Sequence, residues 1–433
     1  MTPAAGYTEM KDSGFPDIGC VPSAWTIMKV KHIFDVICGA TPKENPENWD
    51  GNIPWIGPSD MPMTGTIEHG KRFISELGYA SCGTTLVPQN SIIISTRAPI
   101  GKICIAANRL CTNQGCKALV SRNKSINNKF FAYYLRSIIE RLEVDGTGTT
   151  FKELSTSKLL SEPLIVPPGS EQSAIAAYLD TQCARIDEII AEAKASIEDY
   201  KQWKASIIYE AVTKGLDPDA EMKNSGIPHA GEIPKNWRVS PIKYVATIDA
   251  KCDKGNLSEE TEVSFAPMEC IRNDARIKKT APLSKDNGTY SSFQSGDIAI
   301  AKVTPCFENG NICIMDNLEH GYAFGSSELF SIRPQNISSR FLLYCMQTPY
   351  FISNGVATMT GVGGLKRVSS YYIKNALIPL PSRYEQDNIS AYLDDKTKMI
   401  VELIAEKELL IANLESYKKS LIYEVVTGKR RVC

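Results

Sequence analysis

Two stretches of the chain collect cations and exclude acids. From 77 to 139 there is no Asp or Glu, while Arg97, Lys102, Arg109, Lys117, Arg122, Lys124, Lys129 and Arg136 are present. From 329 to 384 the same exclusion surrounds Arg333, Arg340, Lys366, Arg367, Lys374 and Arg383. Guanidinium and ammonium groups without carboxylate neighbours can bind phosphate oxygens, and amide side chains beside them can match the donor and acceptor pattern of a base edge. On that chemistry Arg97, Lys102, Lys117 and Lys152 are candidate nucleic-acid contacts in the first half, with Asn113 and Gln114 as candidate adenine readers. Lys302, Lys366 and Arg367 are the candidates in the second half, with Lys278 and Lys279 nearby. A solvated surface cation is the competing reading for each, and a turn role competes for Asn113 and Gln114. Lys152 and Lys366 are favoured, because ThrGlyThrThrPheLys (147–152) and GlyValGlyGlyLeuLys (361–366) align at an offset of 214 and bring a cation on a Gly- and Thr-rich loop to the same place in both halves.

Bond-making chemistry has no comparable set of residues. Gly101-Lys102 and Gly428-Lys429 are followed by Ile103 and Arg430, so neither completes a phosphate-binding GxxxxGK[ST] loop. No AsnProProTyr-type methyltransferase motif is present, and the glycine-rich turn at Gly361, Gly363 and Gly364 lacks the strand before and helix after that nucleotide binding requires. The thirteen cysteines form no CxxC pair, and the closest two, Cys111 and Cys116, have none of His32, His69, His229 or His320 beside them. They read as reduced thiols, and no metal site is expected.

The elements that must position the cations are duplicated. The segment 171–213 returns at 385–427 with a constant offset of 214 and no gap: Glu171-Gln172 with Glu385-Gln386, AlaTyrLeuAsp at 177–180 and 391–394, IleTyrGlu at 208–210 and 422–424. A repeat of this length is a duplicated physical unit. Ile175, Leu179, Cys183, Ile186, Ile190, Ala193, Ile197, Tyr200 and Ile207 lie mostly three or four residues apart, on one seam of a long helix. The second copy supplies Ile389, Leu393, Ile400, Ile404, Ile411, Leu414 and Leu421, with Thr397 and Lys407 interrupting. About 43 residues at about 1.5 Å each gives roughly 65 Å, longer than a domain needs to cover its own core. The expected partner of each helix is the other, in an antiparallel coiled coil. Trp203 and Tyr417 align on these helices, and Tyr209 and Tyr423 sit in the repeated IleTyrGlu; all four are candidates for partner contact, with core packing the plainer reading for Trp203 and Tyr417.

Upstream the match weakens and the offset drifts, as loops of varying length between fixed elements would make it. LysAspSerGlyPhePro (11–16) resembles LysAsnSerGlyIlePro (223–228), and Pro22 and Trp25 match Pro234 and Trp237. Segments 91–99 and 297–305 read as short apolar strands leading to turns at Pro99 and Pro305, and 127–136 and 338–347 as helices. Residues 45–83 and 263–290 have little in common. The expected class is α+β, with two duplicated mixed α/β domains (1–166 and 217–380) joined and separated by two long helices (167–216 and 381–433).

Composition sets the remaining bounds. With 433 residues, 43% hydrophobic and 22% charged, the chain can bury at least two cores. A net charge of -1 argues against indiscriminate coating of nucleic acid, but the acids have moved into the long helices, leaving the globular parts basic. No apolar run approaches a membrane span and the start lacks an export signal, so no membrane partner and a cytoplasmic location are expected.

The order of these parts resembles the specificity subunit of a type I restriction-modification system: a LysXSerGlyXPro and ProXXTrp opening, a variable domain, then a ProXXXXGluGln to AlaTyrLeuAsp helix, all twice. In the first domain TrpIleGlyProSerAsp (55–60), SerThrArgAlaProIleGly (95–101) and ThrAsnGlnGlyCysLys (112–117) are similar to family motifs; in the second, SerPheAlaProMet (264–268), the segment 296–310 and SerSerGluLeuPhe (326–330) play that part. The resemblance implies two target-recognition domains, each reading one half of a split, asymmetric site in double-stranded DNA. It implies helices that act as spacer and as dock for two methylation subunits, and restriction subunits that join the complex. It leaves this chain without catalysis or cofactor; S-adenosylmethionine, ATP and Mg2+ would belong to the partners. A protein-protein adaptor that never touches DNA, and a specificity subunit serving a methylase alone, are the alternative readings.

Overall fold

A computed structural model describes residues 6–97, 100–144, 153–272, 277, 279–286, 288–362 and 364–432. The fold is mixed α/β, with one long helix at Gly169–Lys214 and another at Arg383–Val426. The chain divides into two units, Met1–Ala193 with Leu409–Cys433, and Lys194–Glu408. Each unit therefore holds one globular domain, the first part of the long helix that follows it, and the last part of the other long helix.

In the first unit a five-stranded sheet runs in the order Phe34–Cys38, Cys116–Ser121, Ile92–Ser95, Ile103–Ala106, Thr66–Ile67, antiparallel except for the last pair. Ile92, Ile93 and Ile94 are all fully buried because the sheet is covered on both faces. Ile92 and Ile94 pack with Phe130, Phe131, Tyr134 and Leu135 of the helix Asn128–Ser137, whereas Ile93 faces Ile56, Met61, Val87 and Leu110. Asn127 starts that helix by accepting from the backbone N–H of Lys129 and Phe130. A second sheet, Cys111–Thr112, Trp49–Ile56, Arg72–Ile74, carries much of the segment 45–83, whose sequence has little in common with the other half.

The second unit repeats the central ladder. Its main sheet runs Ala246–Ile248, Leu329–Pro334, Asp297–Ala301, Ile312–Met315. Ile298 and Ile300 face the helix Ser339–Met346, while Ala299 and Ala301 face a separate cluster with Phe293 and Leu329. The strands expected near 91–99 and 297–305 and the helices expected near 127–136 and 338–347 are present. The Thr304–Pro305 peptide is cis; Pro99 lies outside the described residues. A four-stranded sheet, Thr280–Pro282, Glu262–Ala266, Tyr322–Gly325, Ser291–Gln294, stands where the first unit has three strands.

Within the first unit Ile175, Leu179, Cys183, Ile186 and Ile190 pack in one cluster with Leu421, Ile422, Val425 and Val426. Lys418 Nζ pairs with Asp187 at 2.6 Å, and Gly428, just past the end of the second long helix, lies against Pro22 and Trp25 beside the start of the first, so the two helix segments run antiparallel. In the second unit Ile208, Ala211 and Val212 share a cluster with Ile389 and Leu393. The first helix keeps its expected seam buried through Ile197, then shifts it by one residue from Ile207 to Ile208.

Candidate nucleic-acid interface

In the first unit three loops that are separate in sequence close on one another. Asn113 N donates to Ile56 O at 2.9 Å, its Oδ1 accepts from Gly115 N at 2.8 Å, and its Nδ2 lies 2.9 Å from where a Cβ on Gly57 would stand, so the side chain packs closely over that glycine. Asp60 accepts from Gly57 N at 2.9 Å and folds the 57–60 turn. Lys102 Nζ donates to Pro58 O and Met61 O at 2.9 and 3.1 Å, tying the 95–102 loop to that turn. Thr96 N donates to Gly115 O at 2.8 Å and ties it to the 112–117 loop.

The second unit builds the corresponding corner. Thr304 N donates to Lys366 O and Lys366 N to Thr304 Oγ1, both at 3.0 Å, joining the loop after Asp297–Ala301 to a two-stranded ribbon of Thr360–Val362 and Leu365–Arg367. Arg367 forks onto both carboxylate oxygens of Glu328 at 2.9 and 2.6 Å, a geometry that holds Glu328 below its ordinary pKa. The isolated backbone bridge Arg97 to Glu153 in the first unit is matched by Val303 to Arg367 in the second.

A lysine fills the same junction in both corners but comes from opposite strands. The ladders pair Cys116 with Ser95 and Leu329 with Ala301, so Lys117 is equivalent to Phe330 and Thr96 to Lys302, and the two residues in each unit lie diagonally across their ladder. Lys117 Nζ donates to Leu154 O at 2.7 Å and Thr96 Oγ1 at 3.3 Å; Lys302 Nζ lies 4.5 Å from the Phe330 ring centre and donates to Ser327 O at 3.1 Å. Removal from water lowers the pKa of both lysines.

These positions correct part of the expectation. Lys117 is 4% exposed and its ammonium is spent inside the domain, so it does not reach a ligand. Its sequence surroundings, Cys116 and Ala118-Leu119, are those of a buried strand, which was the available signal. Lys102 is committed to two carbonyls, and Asn113 and Gln114 serve turns, Gln114 accepting from Thr41 Oγ1 at 2.5 Å. Arg97 pairs with Glu153 at 3.1 Å and Lys279 with Glu269 at 2.8 Å, both pairs at the surface. Lys366 is exposed and carries no ion pair among the described residues. Lys152 and Lys278 lie outside the described residues.

The repeated motifs are the joints between domain and helix. Trp25 Nε1 donates to Glu171 at 3.0 Å and Trp237 Nε1 to Glu385 at 3.1 Å. Gln172 accepts from Asn127 N and donates to Pro167 O; Gln386 does the same with Ser338 N and Pro381 O. The Asp of AlaTyrLeuAsp takes a tyrosine hydroxyl and a cation in each unit, Tyr133 and Lys129 on Asp180, Tyr344 and Arg340 on Asp394. Both tyrosine hydroxyls are pushed far above their ordinary pKa, by burial first, and the aspartate beside each adds to the rise.

Of the aromatic residues expected at a partner surface, Tyr209 and Tyr423 are half-buried and tied within the chain. Their hydroxyls donate to Ala230 O at 3.1 Å and Asp17 O at 2.6 Å, anchoring the end of each long helix to the opening hairpin of a domain. Trp203 and Tyr417 are about half exposed and lie outside the buried core. Among the described residues no group of three His, Cys, Asp or Glu could hold a metal ion, and no helix is long and apolar enough to cross a membrane.

The model of the type I restriction modification DNA specificity domain matches this chain twice, over residues 22–199 and 234–413. The EcoAI specificity subunit of Escherichia coli is 34% identical over 194 residues, 43% of this chain and 32% of that protein. The MjaIX specificity subunit of Methanocaldococcus jannaschii is 30% identical over 268 residues, 60% and 58% of the two chains. The matched stretches thus span less than two thirds of these relatives, whereas the MjaVIII subunit of the same organism aligns over 95% of this chain and 94% of its own at 24% identity. Among solved structures, a chain from a study of assembly and conformational transition in a type I R-M system has a TM-score of 0.71 at 16% identity, covering 94% of this chain and 99% of its own. The HsdS subunit from Thermoanaerobacter tengcongensis has a TM-score of 0.53 at 17% identity, covering 94% and 98%; both likenesses bear on the fold. Matched twice along most of its length, the chain belongs to the type I restriction modification DNA specificity family.

Proposed function

We propose that this chain is the DNA-recognition subunit of a type I restriction-modification enzyme, reading an asymmetric bipartite site in double-stranded DNA and directing adenine methylation and restriction by partner subunits. The observation that carries this reading is a pair of joints built from equivalent residues, Trp25 with Glu171 and Trp237 with Glu385, in units whose loop corners differ in make-up. Equal readers would favour a palindrome; unlike readers on one frame suit two different half-sites. Two methylation subunits would dock on the long helices, where half-exposed Trp203 and Tyr417 offer rigid aromatic anchors. S-adenosylmethionine, ATP and Mg2+ belong to the partners, and this chain contributes binding and no bond-making step. The target adenine must leave the stack for its amino group to be reached, so cations here hold the flanking phosphates in register while the methylation subunit acts. The complex works on cellular DNA in the cytoplasm. Methyladenine mapping in cells that express this chain with its methylation partner should give one split, asymmetric motif; an unchanged methylation pattern after deletion of the chain would defeat the proposal.

A further inference from the structure

The ribbon of the second domain ends in an apolar pair that the described residues of its unit leave largely exposed. Val362 stands directly opposite Leu365, and the two are 89% and 48% exposed. Directly opposed residues of an antiparallel pair project from the same face, so these two side chains make one apolar tip. Arg367 shares that face nearer the base, and Lys366 projects from the other face opposite Gly361. A Cβ on Gly361 would lie 2.2 Å from Leu365 O, so this position is held to glycine and the ribbon's second face stays bare except for the lysine. The base is fixed by the Thr304 bonds and by the Arg367–Glu328 fork, while the tip reaches outward.

Dimensions and charge select the occupant. Two strands about 4.8 Å apart with their side chains need about 10 Å; the major groove of duplex DNA, about 12 Å wide, admits such a ribbon, and the minor groove, about 6 Å wide, does not. A cation beside the tip suits the phosphates that line the groove. Inside the major groove the apolar feature a base pair presents is the C5-methyl of thymine. The geometry points to Val362 and Leu365 as readers of thymine methyl groups in the half-site served by the second domain, with Lys366 on a flanking phosphate. This inference rests on the reading of the chain as a DNA-recognition subunit.

The test uses the full chain assembled with its methylation partner, and duplexes in which each thymine of that half-site is replaced singly by uracil, which removes the methyl and keeps the base pairing. At one or two positions the wild-type complex should lose about 3–5-fold in affinity, the worth of one buried methyl group. The Val362→Ala, Leu365→Ala double variant should bind more weakly and be indifferent to uracil at those positions, while still sensing changes in the other half-site. A double variant with the wild-type thymine-to-uracil ratio would overturn the inference. So would a wild-type complex that binds its site specifically yet ignores uracil at every position, or a double variant whose only defect is loss of the methylation partner, which would make the tip a protein dock. Failure of the wild-type complex to prefer its own site over random duplex would instead defeat the DNA-recognition reading itself.

Discussion

The joints at Trp25 and Trp237 differ in almost nothing, and the loop corners near Thr96 and Lys302 in almost everything but backbone. At the joints the indole donates to a glutamate in the first turn of one long helix, and a glycine past the end of the other lies against the ring: Gly428 on Trp25, and Gly215 with its Cβ position 3.1 Å from Trp237. At the corners the backbone bonds correspond, Leu154 N to Thr96 O and Val368 N to Lys302 O, both at 2.9 Å. The side chains there were replaced: a threonine and a buried lysine in one, a lysine over phenylalanine in the other. A joint must satisfy the same helix ends in each copy and has little freedom. A corner need only keep its ladder closed, so its side chains can follow the ligand.

The largest effect is expected where the comparison shows identity. Trp25→Ala and Trp237→Ala each remove a fully or almost fully buried indole and take one donor from a glutamate that keeps another, Tyr7 on Glu171 and Ser382 on Glu385. Each should cost about 3–5 kcal/mol in urea unfolding of the full chain. Equivalent joints require the two losses to agree within about 1 kcal/mol. A difference of several kcal/mol would mean that the shared geometry hides unequal packing. Trp25→Phe and Trp237→Phe, which keep an aromatic ring, should recover more than half of each loss.

The joints and helices were legible in the sequence because their pattern is physical. Residues three or four apart make a seam whatever their exact neighbours, and GluGln, AlaTyrLeuAsp and ProXXTrp recur at nearly fixed offsets because the contacts between them are fixed. What the sequence withheld was which motif touches which: Trp25 and Glu171 are 146 residues apart. The corners were less legible. Residue type announces a charge but not where a flexible stem places it, so Lys117 and Lys366 both stand as candidate contacts in the sequence although one is inside and the other exposed. The glycines at 361, 363 and 364 suggested a turn, and the apolar pair that they flank became visible only once Val362 and Leu365 were seen to oppose each other across the ribbon.

A smaller effect separates cations that can meet phosphate from those that cannot. Lys366→Ala should weaken DNA binding several-fold, reduce the salt dependence by about one counterion and leave the preferred half-sites unchanged, because a phosphate contact carries no sequence information. Titrations at several salt concentrations check it. An unchanged salt slope would remove Lys366 from the interface and place the burden on cations now in surface ion pairs, such as Arg97.

The smallest effect probes buried Lys117 against half-buried Lys302. Lys117→Met should change DNA affinity by less than about twofold and stability at pH 7 by less than about 1 kcal/mol, because losing the bonds to Leu154 O and Thr96 Oγ1 is offset by no longer burying an ammonium. The pH dependence gives the sign. Burial sets the folded-state pKa of Lys117 below the ordinary 10.5, so at neutral pH the folded protein bears the full cost of the charge. As pH rises through that lowered pKa toward 10.5, the folded state releases its proton before the unfolded state does, and wild-type stability rises relative to the methionine variant. Lys302→Met should follow the same direction, because burial outweighs the opposing charges of Asp249 and Glu328. Unfolding of each variant against wild type between pH 7 and 10.5 reads both. Opposite slopes would show that the two lysines, though they enter equivalent junctions, face different surroundings, and would break the correspondence between the corners at its most buried point.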